Sequence, residues 1–147
     1  MKVTMMLADF AQVVNGKLYI MGGGWSIIGP TPSPSALAIK VEVPWNETNR
    51  KHNLKVELLN SDFHPVLIPT PVGNTAVIIS GDFEVGRPPG LIQGSPLDVS
   101  FAFPIGPLPL APGNRYVWKL TINGNTEENW QVTFATRAAE QNPSPSA

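Results

Sequence analysis

His52 and His64 are the chain's two histidines, and with the carboxylates they are the first residues to test for chemistry. Asp62 stands two residues before His64, so a two-His-one-carboxylate metal site has its minimum ingredients. None of the three shows a ligand spacing that places two donors on one face, and Asp62-Phe63-His64-Pro65 has the composition of a tight turn, which is the reading adopted. A Ser/His/Asp triad needs an activated serine, and Ser26, Ser80, Ser95 and Ser100 all lack the Gly-x-Ser-x-Gly elbow. The carboxylates Asp9, Asp62, Asp82, Glu84 and Asp98 are types that bind calcium or act in pairs on sugars, but they are spread singly, and the last three fall on the outward phase of strands. Gly22-Gly23-Gly24 comes after a strand, yet it leads into Trp25-Ser26-Ile27-Ile28. A phosphate cradle requires a helix N-terminus there, so the glycines are read as backbone devices that permit positive φ, a bulge or close approach. Asn46-Glu47-Thr48 matches a glycosylation sequon and is read as chance.

The aromatic residues offer a different chemistry, stacking on a sugar or anchoring a partner. Trp118 and Trp130 share the phase of Tyr116, Leu120, Val132 and Phe134 and belong to the core. Trp25 and Trp45 are expected at strand ends, beside Pro- and Asn-rich loops. Trp45 lies in the run Pro44-Trp45-Asn46-Glu47-Thr48-Asn49-Arg50-Lys51-His52. The candidate binding residues are therefore Trp25, Trp45, Arg50 and His52. No catalytic residue, metal ligand or cofactor is assigned.

The elements that must position these residues are strands. Leu37, Ile39, Val41 and Val43 alternate with Ala38, Lys40 and Glu42; Leu54, Val56 and Leu58 alternate with Lys55 and Glu57; the pattern returns at 77–85 and 97–103. It is sharpest where Tyr116, Trp118, Leu120 and Ile122 alternate with Val117, Lys119 and Thr121. After the turn Asn123-Gly124-Asn125-Thr126, it comes back through Trp130, Val132 and Phe134. Val3, Met5 and Leu7 give a first strand, and Asn15-Gly16 is a type I′ hairpin turn before Leu18-Tyr19-Ile20-Met21. Residues 9–12 are expected as an irregular turn or bulge, and 8–13 or 127–130 as places for a single helical turn. Proline is abundant, 16 residues, and sits between the alternating runs, at 30–34, 69–71, 88–89 and 104–112, where it protects strand edges.

Composition bounds the rest. The chain has 147 residues, no cysteine and a net charge of −1; disulfides, thiolate metal sites and a cysteine nucleophile are excluded together. Residues 1–73 hold six Lys/Arg and five Asp/Glu, and residues 74–147 hold four and six, so no basic stripe recruits nucleic acid or an anionic membrane. The start is too short in apolar residues for a signal peptide and no run approaches a membrane span; a cytoplasmic location is expected. Charged residues make up 14 % against about 25 % in typical domains, and a surface this poor in charge favours association.

The chain carries two resemblances. Leu110-Ala111-Pro112-Gly113-Asn114-Arg115-Tyr116 resembles the tyrosine corner of fibronectin type III and immunoglobulin-like domains, which implies that Tyr116 bonds back to the backbone a few residues upstream where the chain crosses between sheets. Ala8-Asp9-Phe10-Ala11-Gln12, the run Gly16 to Trp25, and Val43-Pro44-Trp45 resemble a family of small bacterial proteins, common in actinobacteria and their phages, that has no assigned function. That resemblance spans the chain to about Arg137 and carries no active-site residues. The fold expected is all-β, an antiparallel β-sandwich of seven to nine strands, immunoglobulin-like, over residues 1–137, followed by a disordered Pro/Ser tail at 138–147. The function expected is a non-enzymatic interaction or assembly module, self-associating or part of a larger particle. The alternative is a sandwich that binds a sugar or other small molecule through Trp25 and Trp45; a hydrolase using Asp9, Asp62 or His64 ranks last.

Overall fold

A computed structural model describes residues 1–138; the tail expected at 138–147 lies, from Ala139 on, outside the described residues. The regular secondary structure of the described chain is nearly all strand. Its elements are β1 (Lys2–Val14), β2 (Lys17–Gly23), β3 (Ile27–Ile28), β4 (Ser35–Val43), a single 3₁₀ turn at Trp45–Glu47, β5 (Lys51–Asn60), β6 (Leu67–Thr70), β7 (Gly73–Ala76), β8 (Ile78–Glu84), β9 (Leu97–Ile105), β10 (Arg115–Ile122) and β11 (Gln131–Thr136). Eleven strands among the described residues exceed the seven to nine expected. The surplus is the two-residue β3 and the β6–β7 hairpin, whose prolines and glycine (Pro69, Pro71, Gly73) mask its alternation. The helical turn expected at 8–13 and the irregular turn at 9–12 are both replaced by one continuous strand, because Phe10, Ala11 and Gln12 pair with Met21, Ile20 and Tyr19. Residues 127–130 do form a turn, closed by the Trp130 N–H donating to Glu127 O.

Strand order is β2-β1-β4-β9 in a four-stranded sheet, β3-β11-β10-β5-β8 in a five-stranded sheet, and β6-β7 in a separate ribbon. All pairings are antiparallel except that of β3 with β11. The four-stranded sheet curls until its edge strands β2 and β9 approach each other, as the right-handed twist of a sheet allows. The inward phases of both large sheets meet in one apolar cluster. Leu37, Ile39 and Val41 come from β4, Leu54, Val56 and Leu58 from β5, and Tyr116, Trp118, Leu120 and Ile122 from β10. Residues on the outward phase are buried as well, Ala38 and Val117 among them. Ala38 is flanked in the register by Met6 and Ala102, and Val117 by Leu59 and Thr133; cross-strand neighbours on the pleat shelter them.

Tyr116 fixes the chain where it enters β10. Its hydroxyl accepts from the Ala111 N–H at 3.1 Å and lies 3.4 Å from Ala111 O, and its ring packs on Phe134 at 5.7 Å between centroids. Thr136 Oγ1 reinforces the same loop, donating to Ala111 O at 2.7 Å and accepting from the Asn114 N–H at 3.1 Å. A Tyr116→Phe substitution therefore keeps the ring but strands the part-buried Ala111 amide. It is expected to cost about 1–2 kcal/mol in chemical denaturation; unchanged stability would mean that the corner does not hold the loop.

Candidate functional site

The register of β4 decides whether Trp25 and Trp45 belong to one site. Trp25 lies just after Gly23, which pairs with Ala8, and Ala8 pairs with Ala36 near the start of β4; Trp45 lies just past Val43, the last residue of that strand. Seven residues of strand at about 3.3 Å each put the two ends roughly 23 Å apart. Trp45, Arg50 and His52 are thus brought together at one end of the sheets and Trp25 is left at the other.

At the Trp45 end the side chains are consumed by the fold. The Arg87 guanidinium carbon sits 4.1 Å from the Trp45 ring centroid, a cation–π contact that covers one face of the indole. The same guanidinium donates from Nη2 to Trp45 O and from Nε to Thr48 Oγ1, each at 2.6 Å, while Thr48 Oγ1 donates to Trp45 O at 2.7 Å. The hydroxyl of the sequon-like Asn46-Glu47-Thr48 is therefore engaged as a cap on the 3₁₀ turn. Arg50 pairs with Glu47 at 3.3 Å on the exposed surface. His52 is 2 % exposed. Its Nε2 lies 2.7 Å from Glu47 O, which can only accept, so Nε2 carries the proton; Nδ1 then accepts from Asn123 Nδ2 at 2.8 Å. Asn123 Oδ1 in turn accepts from the Asn53 N–H at 2.9 Å. Both ring nitrogens are occupied, and the imidazole packs 5.3 Å from the Phe83 ring. Such a histidine ties the 3₁₀ turn to the β10–β11 connection and has no nitrogen left for a ligand.

At the other end Trp25 packs edge-on to Phe134, with ring centroids 6.3 Å apart. It borders a cavity of about 40 Å³ walled by residues including Ile28, Pro30, Leu108 and Leu110. Its Nε1 is buried with no hydrogen-bond partner among the described residues. The space is half-open and holds a few water molecules. His64 and Asp62 occupy the turn after β5, where Asn60 Oδ1 accepts from both the Asp62 and the His64 backbone N–H at 2.9 and 3.0 Å. Among the described residues no group of three His, Cys, Asp or Glu gathers to hold a metal ion. No helix there is long and apolar enough to cross a membrane.

The feature that residue-by-residue reading misses is the far half of β1 with β2. β1 pairs with β4 only as far as Ala8, whereas residues 10–14 pair with β2 alone, closing on the turn Asn15-Gly16 with φ of 51° and 72°. Residues 9–22 thus form a two-stranded arm beyond the rest of the sheet. Phe10 is 51 %, Tyr19 55 % and Met21 67 % exposed, and Val13, Val14 and Ile20 are also exposed. Phe10, Gln12 and Val14 share one face with Tyr19 and Met21; Ala11 and Val13 share the other with Leu18 and Ile20. The signal was present as two runs apolar on both phases, Phe10 to Val14 and Leu18 to Met21, where a half-buried strand would alternate. At the arm's root Gly22 has φ of 62°, and a side chain there would meet the Asp9 carboxylate. The glycine run is a bend in the backbone, continued by Gly24, whose N–H donates to Leu7 O at 2.7 Å.

Residues 3–135 match the model of a protein family of unknown function, DUF6941, and the chain belongs to that family. No curated protein and no solved structure matches it.

Three substitutions check these assignments. His52→Ala removes a buried ring and two hydrogen bonds and is expected to lower stability by about 2–4 kcal/mol, while Arg50→Ala leaves the unfolding midpoint where it was, as for other exposed ion pairs. A stable His52→Ala protein would free the histidine for another role. Gly22→Ala forces a side chain into positive φ against Asp9 and is expected to cost about 1–3 kcal/mol, read from thermal unfolding; no loss would mean that the bend does not depend on glycine.

Proposed function

We propose that this member of DUF6941 is a non-enzymatic protein-interaction or assembly module whose contact element is the β1–β2 arm. The observation that carries the reading is the exposure of Phe10, Tyr19 and Met21 together on one face of a ribbon that has no second layer among the described residues. An isolated two-stranded hairpin is marginal in water, and covering each of these half-exposed side chains is worth on the order of 1 kcal/mol. A partner of protein character supplies that cover. The low charge of the chain, 14 %, supports the same reading, as does the engagement of His52 and Trp45 within the fold. Self-association or incorporation into a larger particle are the two forms it takes, in the bacterial or phage setting that the resemblance of the opening block implies.

The reading includes an immunoglobulin-like sandwich as the body that holds the arm. Its support is the placement of β1, β4 and β9 in one sheet and β11, β10, β5 and β8 in the other, together with the Tyr116 bond to Ala111 five residues upstream. A small-molecule role at Trp25 has one observation in its favour, the unpartnered indole N–H beside the cavity, and the cavity's size makes water the fitting occupant.

Light scattering over a rising concentration series tests the proposal. The unmodified chain is expected to gain mass, and the triple variant Phe10→Ser, Tyr19→Ser, Met21→Ser is expected to remain monomeric with its unfolding temperature within a few degrees of the parent. A parent that stays monomeric throughout, or a triple variant that associates equally, contradicts it.

A further inference from the structure

Four strand edges end the two large sheets, and three of them are protected. β9 carries Asp98 and Pro104; β8 carries Gly81, Asp82 and Glu84; β3 is two residues long and runs into Gly29-Pro30. These are the devices by which proteins keep a sheet edge from pairing with another chain. β2 has none of them between Leu18 and Met21, and its one charge, Lys17, stands at the first residue. We propose that the arm's partner is a second copy of this chain, joined by antiparallel pairing of β2 with β2 across a twofold axis at Ile20. This rests on the reading of the arm as a contact element and adds its occupant, edge and register.

Backbone geometry makes the edge available. In the two-residue hairpin Val14 and Lys17 form the hydrogen-bonded closing pair, so Tyr19 and Met21 also direct their backbone groups to β1, and Leu18 and Ile20 direct theirs outward. An antiparallel pair of identical strands is self-complementary by symmetry. Centring it on Ile20 sets Ile20 opposite its own copy and Tyr19 opposite Met21, and the pairing ends where each copy bends at Gly22.

The side chains fit that register. On one face Phe10 adjoins Met21 within the arm, so the joined arms present Phe10, Met21 and the second copy's Tyr19 in a row, and the twofold repeats it. Methionine between aromatic rings is a favourable contact. Lys17 lies beyond the paired residues, at the far end from the other copy's Lys17, so no like charges meet. The four-stranded sheet thereby becomes one continuous eight-stranded sheet.

The chain has no cysteine, which makes single-cysteine cross-linking clean. Residues paired across antiparallel strands have Cα atoms about 4.5–5.5 Å apart, within disulfide reach. Cysteine placed in turn at Leu18, Tyr19, Ile20 and Met21, and at Gln12 on the other strand of the arm, is expected to give a disulfide dimer with its maximum at Ile20 and none at Gln12. Ile20→Pro deletes an outward N–H that β1 does not use and is tolerated at an edge. It is expected to halve the mass seen by light scattering while circular dichroism and unfolding temperature hold. A maximum at Gln12, or at a β2 residue other than Ile20, or an Ile20→Pro protein that associates like its parent, overturns this pairing and leaves the arm as the contact element. A parent that is monomeric at every concentration overturns both.

Discussion

The apposition of two apolar sheet faces is the constraint on which the rest of this structure depends. Leu37, Ile39 and Val41 of one sheet and Val56, Leu58, Trp118 and Leu120 of the other are each exposed by no more than 1 %, and they belong to a single cluster. Burial of this kind is proportional to area and indifferent to direction. Its defined geometry comes from polar contacts: the Tyr116 and Thr136 bonds at one end, and the His52–Asn123 and Arg87–Thr48 bonds at the other. Of the side chains that looked available for chemistry, His52 is spent on this task. A buried imidazole with both nitrogens bonded and an arginine laid over a tryptophan tie together the loops at the end of the body nearest Trp45.

The same constraint makes the arm conspicuous. Within the body the inward faces of the two large sheets cover each other, and among the described residues the apolar faces from Phe10 to Met21 have no such cover. A chain that hides Trp118 at 1 % and leaves Met21 at 67 % applies two rules in two regions. The change of rule coincides with a change in backbone, the positive φ at Gly22 and Gly24. Edge protection obeys the same division, since Asp82, Asp98 and Pro104 guard the body's edges and the arm's has no such guard.

Much of the fold was legible because it rests on period. The alternation of Tyr116, Trp118, Leu120 and Ile122, and of Leu37 to Val43, reports directly which face is wet, and Asn15-Gly16 reports a turn whose positive φ angles few other residues accept. The β6–β7 ribbon was not legible, because Pro69 and Pro71 argue against a strand unless the strand is a ribbon of two. The candidate site was legible only in part. Sequence placed Trp45, Arg50 and His52 near one another, and grouped Trp25 with them because both tryptophans come after strands. Which end of a sheet a strand finishes at is set by pairing partners far along the chain, and composition at the strand's end does not encode it. Ala38 and Val117 show the same limit, since their burial comes from neighbours on adjacent strands.

Hydrogen exchange read by mass spectrometry on peptides covering residues 9–22, at low and at high protein concentration, tests the central claim most directly. Arm amides are predicted to exchange quickly when the chain is dilute and to become protected when it is concentrated, while peptides from β5 and β10 are protected in both. Arm amides that exchange equally fast at both concentrations would contradict it.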